Sequence, residues 1–406
     1  MTAGSLRGKA AIVGYGDSYC RRGERKTALR LAMEATGRAL ADAGLRKGEI
    51  DGVLTGRAPM SDLRHQWNNI FASYVKITPR YASEITIHAA GMNAMLKHAA
   101  MAVTSGVARF VLCVGADAAA GDPNVRAQIG GLDADPEFEQ PYEPIIPSMY
   151  AQIACRLMHE HGVTEEHFSA VAVQCQDWAV HHPFATKAGK GRITIEDVMA
   201  SPIIASPLRL WHCAAWGPPG TAGVAIVASA EDAHRLNDHP IYILGSGECQ
   251  THEYLTDRMA LRHSHLPLGQ LPNITATGCR VAADLAYGMS GLLLRDVDLV
   301  QTASQFAHVE LMALSELGLG SPREVGDLVQ DGVTGPGGQL PTNTNGGWLS
   351  FGQPGVSCVM DSLMETVRQL RREPLGLQVP DAEIGLVHSN GGMQACHSVT
   401  ILGRAA

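Results

Sequence analysis

Aromatic side chains make up only 5% of the 406 residues and charged ones only 18%. No apolar run reaches the roughly 18 residues that a bilayer-crossing helix needs, so no membrane span is expected. Dense basic runs are also missing, and 32 Lys+Arg against 40 Asp+Glu leave a net charge of -8. Nucleic acid therefore finds no electrostatic footprint. The nine cysteines contain no C-x-x-C pair, which removes the usual zinc pattern. Their odd number and their places inside apolar runs fit reduced core thiols and a cytoplasmic location. Core-forming material is abundant: 45% of residues are hydrophobic and 44 are Gly, which excludes disorder, collagen and coiled coil as the main state.

The first apolar run begins at Ala10, has strand length and is followed by a glycine pair, so it reads as a buried strand and not as a signal peptide. Strand-like runs then alternate with helix-like ones, as in 9–16 followed by 27–45, which is α/β patterning. The order recurs. Ile12-Val13-Gly14-Tyr15-Gly16 is echoed by Ile243-Leu244-Gly245-Ser246-Gly247, and EIDGVLT (49–55) by DVDLVQT (296–302). Two echoes in the same order argue for a duplicated unit, with halves 1–235 and 236–406. Residues 118–209, rich in proline at first and helical later, read as an insertion packed over one end of the core.

Gly14-x-Gly16 lacks the third glycine of a dinucleotide fingerprint, since Tyr19 stands there, and it reads as a tight turn after a strand. His252, His263 and His265 lack carboxylates at ligand spacing and read as surface histidines, so no metal is expected. Two segments point to chemistry. In 85–106 a short strand runs into a small-residue helix beginning near Ala89, whose N-terminal N–H groups suit a developing oxyanion; a tightly packed central helix is the alternative. In 337–355, Gly346, Gly347, Gly352 and Gly355 interleave with Asn343, Asn345 and Gln353. With HSNGGMQA (388–395), this segment reads as two loops converging on a ligand.

At these residues, together with Phe110–Gly115 and the stretch 296–320, the sequence resembles the thiolase superfamily, in the branch of sterol-carrier-protein thiolase-like proteins. The resemblance implies a five-layered αβαβα sandwich of two duplicated halves carrying the insertion. It further implies a homodimer, and coenzyme A thioesters as substrate with no cofactor bound permanently. The family's nucleophilic cysteine falls on Ala89 when counted back from Ser105-Gly106, or on His88 when the following glycine is matched. Its thioester-oxygen ligand falls on Ala303 beside Ser304, the histidine of its Gly-His-Pro element on Gln353, and its second cysteine on His388. Covalent acyl transfer needs a thiolate and a base. Losing three such groups, each worth about two to four orders of magnitude in rate, is incompatible with a Claisen thiolase.

Some members of the branch resemble retro-aldolases, which cleave a β-hydroxyacyl-CoA without an acyl-enzyme and work with a small OB-fold, zinc-ribbon partner. That chemistry implies His388 and His88 as bases, Gln353 as a donor, and backbone N–H groups of Ala89 and Asn390 as the oxyanion hole. Asn343, Gly347, Gly352 and Ser304 would bind substrate. The tyrosines of those aldolases would fall near Ala303 and Phe351, a departure from the pattern. His308 reads as a core histidine, and Trp211, His212, Cys213 and Trp216 either line an acyl pocket or pack on the core. The rival readings are an acyltransferase using a displaced thiol, Cys358 or Cys213, and a catalytically silent subunit that binds acyl-CoA or a partner.

Overall fold

The computed structural model describes residues 6–406 apart from 22, 63, 119–132, 237 and 260–273. His263, His265 and the start of the expected insertion lie outside the described residues. The strands are β1 (Ala10–Tyr19), β2 (Gly52–Thr55), β3 (Tyr81–Glu84), β4 (Phe110–Asp117), the short hairpin β5 (Ile203–Ala205) and β6 (Leu208–Arg209), β7 (Thr221–Ser229), β8 (Ile241–Gln250), β9 (Leu299–Gln301), β10 (Ile384–Gly391) and β11 (Cys396–Gly403). Apart from the hairpin, the described strands form one mixed sheet in the order β3-β2-β4-β7-β1-β8-β11-β10-β9. Only Ala11↔Tyr242 and Ile12↔Ile241 join β1 to β8, so the sheet consists of two half-sheets meeting at a narrow seam.

The helices that matter below are α1 (Ala28–Asp42), α2 (Gly91–Thr104), α3 (Ile146–His161), α4 (Glu165–Ala179), α5 (Cys279–Ser290), α6 (Ala307–Leu317) and α7 (Cys358–Arg371). Helices α2 and α7 touch strands of both half-sheets and each other, so they form the middle layer. Outside, α1 covers β1, β7 and β4 while α5 covers β8 and β11. The result is the αβαβα sandwich. The insertion helix α4 packs on α6 and on the turn 347–351, which places it over the C-terminal half.

The echoes have a structural cause that differs from the expected turn. Gly14 and Gly16 lie inside β1, and an added Cβ would strike the carbonyls of Ala39 and Ala35 on α1. In β8, Gly245 and Gly247 stand in the same relation to Ala286 and Ala282 of α5. Each Gly-x-Gly therefore lets an outer helix lie directly on its strand, and an alanine there carries an overpacking cost of about 1–3 kcal/mol. The acidic echo is equally specific. Asp51 accepts the N–H groups of Arg109 and Phe110, both at 2.9 Å, where β4 begins. Asp298 accepts those of Glu383 and Ile384, both at 2.8 Å, where β10 begins. In both halves an aspartate takes up the first N–H groups of the neighbouring strand, which would otherwise lack acceptors.

Candidate active site

The approach to α2 is built on an unusual backbone. His88 has φ 48, a left-handed conformation that costs a non-glycine residue energy and clusters at functional positions. Its side chain is 35% exposed, and Nε2 lies 3.5 Å from Oε1 of Glu253. Burial raises the carboxyl of Asp133 above its usual range, His88 lowers it and Glu253 raises it further, so two acids flank this imidazole. Next in the chain, the N–H groups of Ala89 and Ala90 meet no acceptor in hydrogen-bonding geometry among the described residues. The following N–H groups of α2 are tied to carbonyls three residues back, beginning with Gly91 to His88 at 3.3 Å.

The C-terminal strands close over this turn. A Cβ on Gly391 would collide with the His88 side chain and lie 2.8 Å from the Ala89 nitrogen, so only glycine leaves that N–H reachable. Gly392 lies against His88 Nε2. Ser398 donates to the Ala90 carbonyl at 2.9 Å and bonds Ser389 at 2.8 Å, while Asn93 in the first turn of α2 donates to the carbonyls of Val387 and Ser398.

Alternation along β10 decides which side chains face this turn. Ser389 points toward α2. His388 and Asn390, its neighbours, point to the opposite face of the sheet, where α5 and α6 lie. There His388 is buried, with Nδ1 2.7 Å from Thr302 Oγ1 and Nε2 3.1 Å from His397 Nδ1, and burial with the neighbouring His397 holds it well below the usual histidine range. The Asn390 side chain accepts from Gln305 Nε2 at 3.0 Å; the same nitrogen donates to Tyr150 Oη at 2.9 Å, and Tyr150 donates to the Gly392 carbonyl at 3.2 Å. His88 and His388 thus flank the same strand from opposite sides.

The loop 337–355 is more deeply buried than glycine and amide content suggests, because the amides of Asn343 and Asn345 are bonded within the protein. Asn343 accepts the Thr302 N–H at 2.9 Å and donates to Glu310 at 2.7 Å; burial pushes that carboxyl up to about 7, opposed by its bonds to Asn343 and Cys175. Ser304 accepts the Trp348 N–H at 2.9 Å, and Gly347 packs over Ser304 and Asn343. Residues 302–305, leaving β9, are therefore a hub: Thr302 reaches His388 and Asn343, Ser304 reaches Trp348, and Gln305 reaches Asn390 and Tyr150. Segments 343–348 and 388–392 meet there, and 388–392 in turn meets 85–91.

Gly352, with φ 126, abuts the Gly217 carbonyl, and the Gln353 N–H donates to Ala215 at 2.8 Å while its half-buried carboxamide bonds no group among the described residues. His308 is buried against the rings of Tyr150, Phe168 and Phe306, as a core histidine. His212 is buried as well, bonded to Ser169. Trp211 lies under the Lys187 ammonium, 4.4 Å from its ring centroid. Cys358 is buried and held well above the usual thiol range, and Cys213 is pushed up to about 12, in both cases chiefly by burial. Cys396 shares a small buried cluster with Ala90 and Ala395, against which Ile87 packs, and burial pushes its thiol up to about 11. Sequence reasoning missed Ser389, Tyr150, Gln305 and Cys396. Strand alternation was the available signal for Ser389; no local signal marked the others.

Residues 260–404 match the family described as Thiolase C-terminal domain-like. The chain is 32% identical over 375 residues to the 17-hydroxy-3-oxo-4-pregnene-20-carboxyl-CoA lyase of Mycobacterium tuberculosis, covering 90% of this chain and 92% of that one. It is 30% identical over 369 residues to the acetyl-CoA acetyltransferase of Methanothermobacter thermautotrophicus, again covering 90% and 92%. Among solved structures, the Ltp2-ChsH2(DUF35) aldolase superposes with a TM-score of 0.80 at 27% identity, covering 98% of each chain. With the sandwich, the duplicated half-sheets and the helix turn at His88, these likenesses lead to one conclusion: the chain belongs to the thiolase superfamily, in its sterol-carrier-protein thiolase-like branch.

Proposed function

We propose that this protein cleaves a β-hydroxyacyl-CoA by retro-aldol chemistry, with no covalent acyl intermediate. The observation that carries the reading is the imidazole of His88 on a left-handed turn, where relatives would need a thiol, beside the N–H groups of Ala89 and Ala90, which meet no acceptor among the described residues. In this reading His88 takes the β-hydroxyl proton, with Glu253 and Asp133 orienting it. The carbon–carbon bond then breaks, releasing a ketone or aldehyde. The electrons left on the thioester enolate are held through its oxygen by Ala89 and Ala90, and the proton taken by His88 passes to the α-carbon to give the shorter acyl-CoA. Gln353 offers a free amide to the substrate. Asn343, Gly347, Gly352 and Ser304 position the loops, and His388 and Asn390 support the strand from behind. The halves 1–235 and 236–406 act as one unit, since α2 and α7 each serve both half-sheets.

A lyase and an aldolase among the similar proteins favour this reaction, and a solved neighbour named for two components favours a working complex with a small OB-fold, zinc-ribbon partner around a homodimer. Free thiols at all nine cysteines suit the cytoplasm. Acyl transfer is the second reading, favoured by Cys396 on Ala90 and by the acetyltransferase relative, and opposed by that thiol's raised pKa.

The test is incubation of the full chain, with its partner if one is encoded nearby, with β-hydroxyacyl-CoA thioesters. The expected result is a shorter acyl-CoA plus a carbonyl product, activity that survives iodoacetamide, and a loss of about 10²–10⁴-fold in kcat for His88→Ala. An acyl group trapped on Cys396 would replace this reading with acyl transfer. Absence of both turnover and thioester binding would make the chain a silent subunit.

A further inference from the structure

Behind β10, three side chains that the reaction does not use come together. Cys279 at the start of α5, His388 on β10 and His397 on β11 are buried, and one ligand atom from each lies within 4.8 Å of the other two. Cys249 of β8, opposite His397 in the sheet, adds a second thiol: its Sγ lies 2.8 Å from where a Cβ of Gly278 would stand, beside Cys279. We infer that this cluster is a zinc site, with Cys279, His388 and His397 as ligands and with Cys249, whose thiol stands outside that 4.8 Å group, turning in as the fourth. The inference is independent of the reaction proposed above.

The hydrogen bonds around the two imidazoles support it. His397 Nε2 lies 3.1 Å from the Gln394 carbonyl, which can only accept, so that nitrogen carries the proton and Nδ1 is a lone pair. That lone pair faces His388 Nε2 at 3.1 Å. On the far side of His388, Nδ1 meets the Thr302 hydroxyl, which can accept as readily as it donates. Moving the His388 proton from Nε2 to Nδ1, with a turn of the hydroxyl, aims lone pairs of both rings at one point. Each ring then donates its remaining N–H to a fixed acceptor, the outer arrangement that metal-bound histidines use. Tetrahedral zinc with bonds of about 2.0–2.3 Å spaces its ligands by roughly 3.3–3.8 Å; the two imidazoles stand 3.1 Å apart already, and the thiols have to draw in. Binding releases the thiol protons of Cys279 and Cys249 to solvent; two thiolates with two neutral imidazoles balance the ion's charge, and the Glu316 carboxylate beside both thiols gives up its bond from Cys279. No sequence motif announces the site, because its ligands come from three strands and a helix, up to 148 positions apart.

The experiment treats the full-length protein with chelator, then titrates it with Co²⁺ and, by competition, Zn²⁺. One equivalent of Co²⁺ with the visible bands of tetrahedral cobalt and a thiolate-to-cobalt charge-transfer band is the expected result. Cys279→Ser and His397→Gln should abolish or strongly weaken it, Thr302→Val should weaken affinity by about 10–100-fold, and Cys155→Ser, which removes an exposed thiol, should change nothing. A folded wild-type chain that shows no charge-transfer band overturns the site, as does a band undiminished in Cys279→Ser. Should Cys279→Ser fail to fold, an unchanged affinity in folded Thr302→Val overturns it instead.

Discussion

The two central helices begin in opposite ways. At α2 the approach is open: His88 is on a left-handed turn, and the N–H groups of Ala89 and Ala90 meet no acceptor among the described residues. At α7 the approach is closed from within the protein. The carboxylate of Asp117 accepts the Val356 N–H at 3.4 Å and fills the space beside Gly355, while Ser357 bonds Thr221 at 2.8 Å and Cys358 is buried. Both ends carry the partial positive charge of a helix N-terminus. At α7, in the C-terminal half, that charge is met by a side chain of the N-terminal half, whereas at α2 no side chain among the described residues meets it. Duplication therefore supplies two equivalent helix starts, and a single carboxylate decides which of them can work as a site.

The contrast can be broken at either end. Gly391→Ala places a methyl beside the Ala89 nitrogen and against His88; turnover should fall by about 10²-fold or more, with an added overpacking cost of about 1–3 kcal/mol read by thermal melting. Retained activity would show that the Ala89 N–H does not serve the reaction.

Asp117→Asn sharpens the other end through pH. Burial pushes the Asp117 carboxyl up to about 7 from 3.8, against the opposing bonds from Ser61, Ala118 and Val356. A raised acid favours the folded state fully below pH 3.8 and loses that contribution as pH rises to about 7. The melting temperature of Asp117→Asn should accordingly gain on wild type across that window and run parallel above it; a constant difference would contradict a buried carboxyl. Ser357→Ala removes one neutral hydrogen bond while Thr221 keeps its bond to Asp361, so the smallest effect, about 1 kcal/mol in denaturant unfolding, is expected there.

Much of the fold was legible. Apolar runs of strand length, helical spacing in 27–45, and the two echoes located β1, α1, β8 and the duplication. Gly14-x-Gly16 reads as a turn because local chemistry cannot distinguish a glycine that bends the chain from one that admits a helix; the difference lies in Ala35 and Ala39 across the layer, as in Ala282 and Ala286 for its echo. Of the site, His88 and the loops were visible as departures from a known pattern. The facing of His388 was not, since a one-residue shift along a strand reverses the face and matching on glycines cannot settle that parity.

By itself, the sequence determined the α/β class, the repeat and the absence of a thiol at 88–89, because periodicity, composition and residue identity are local properties. Tertiary structure alone decided that Gly391 uncovers the Ala89 N–H, that Asp117 closes the other helix, and that Cys279, His388 and His397 share one buried cluster. Each of those relations reaches across more than a hundred positions of the chain, even where it also includes near neighbours such as His388 and His397, and only strand pairing and layer packing bring such groups together.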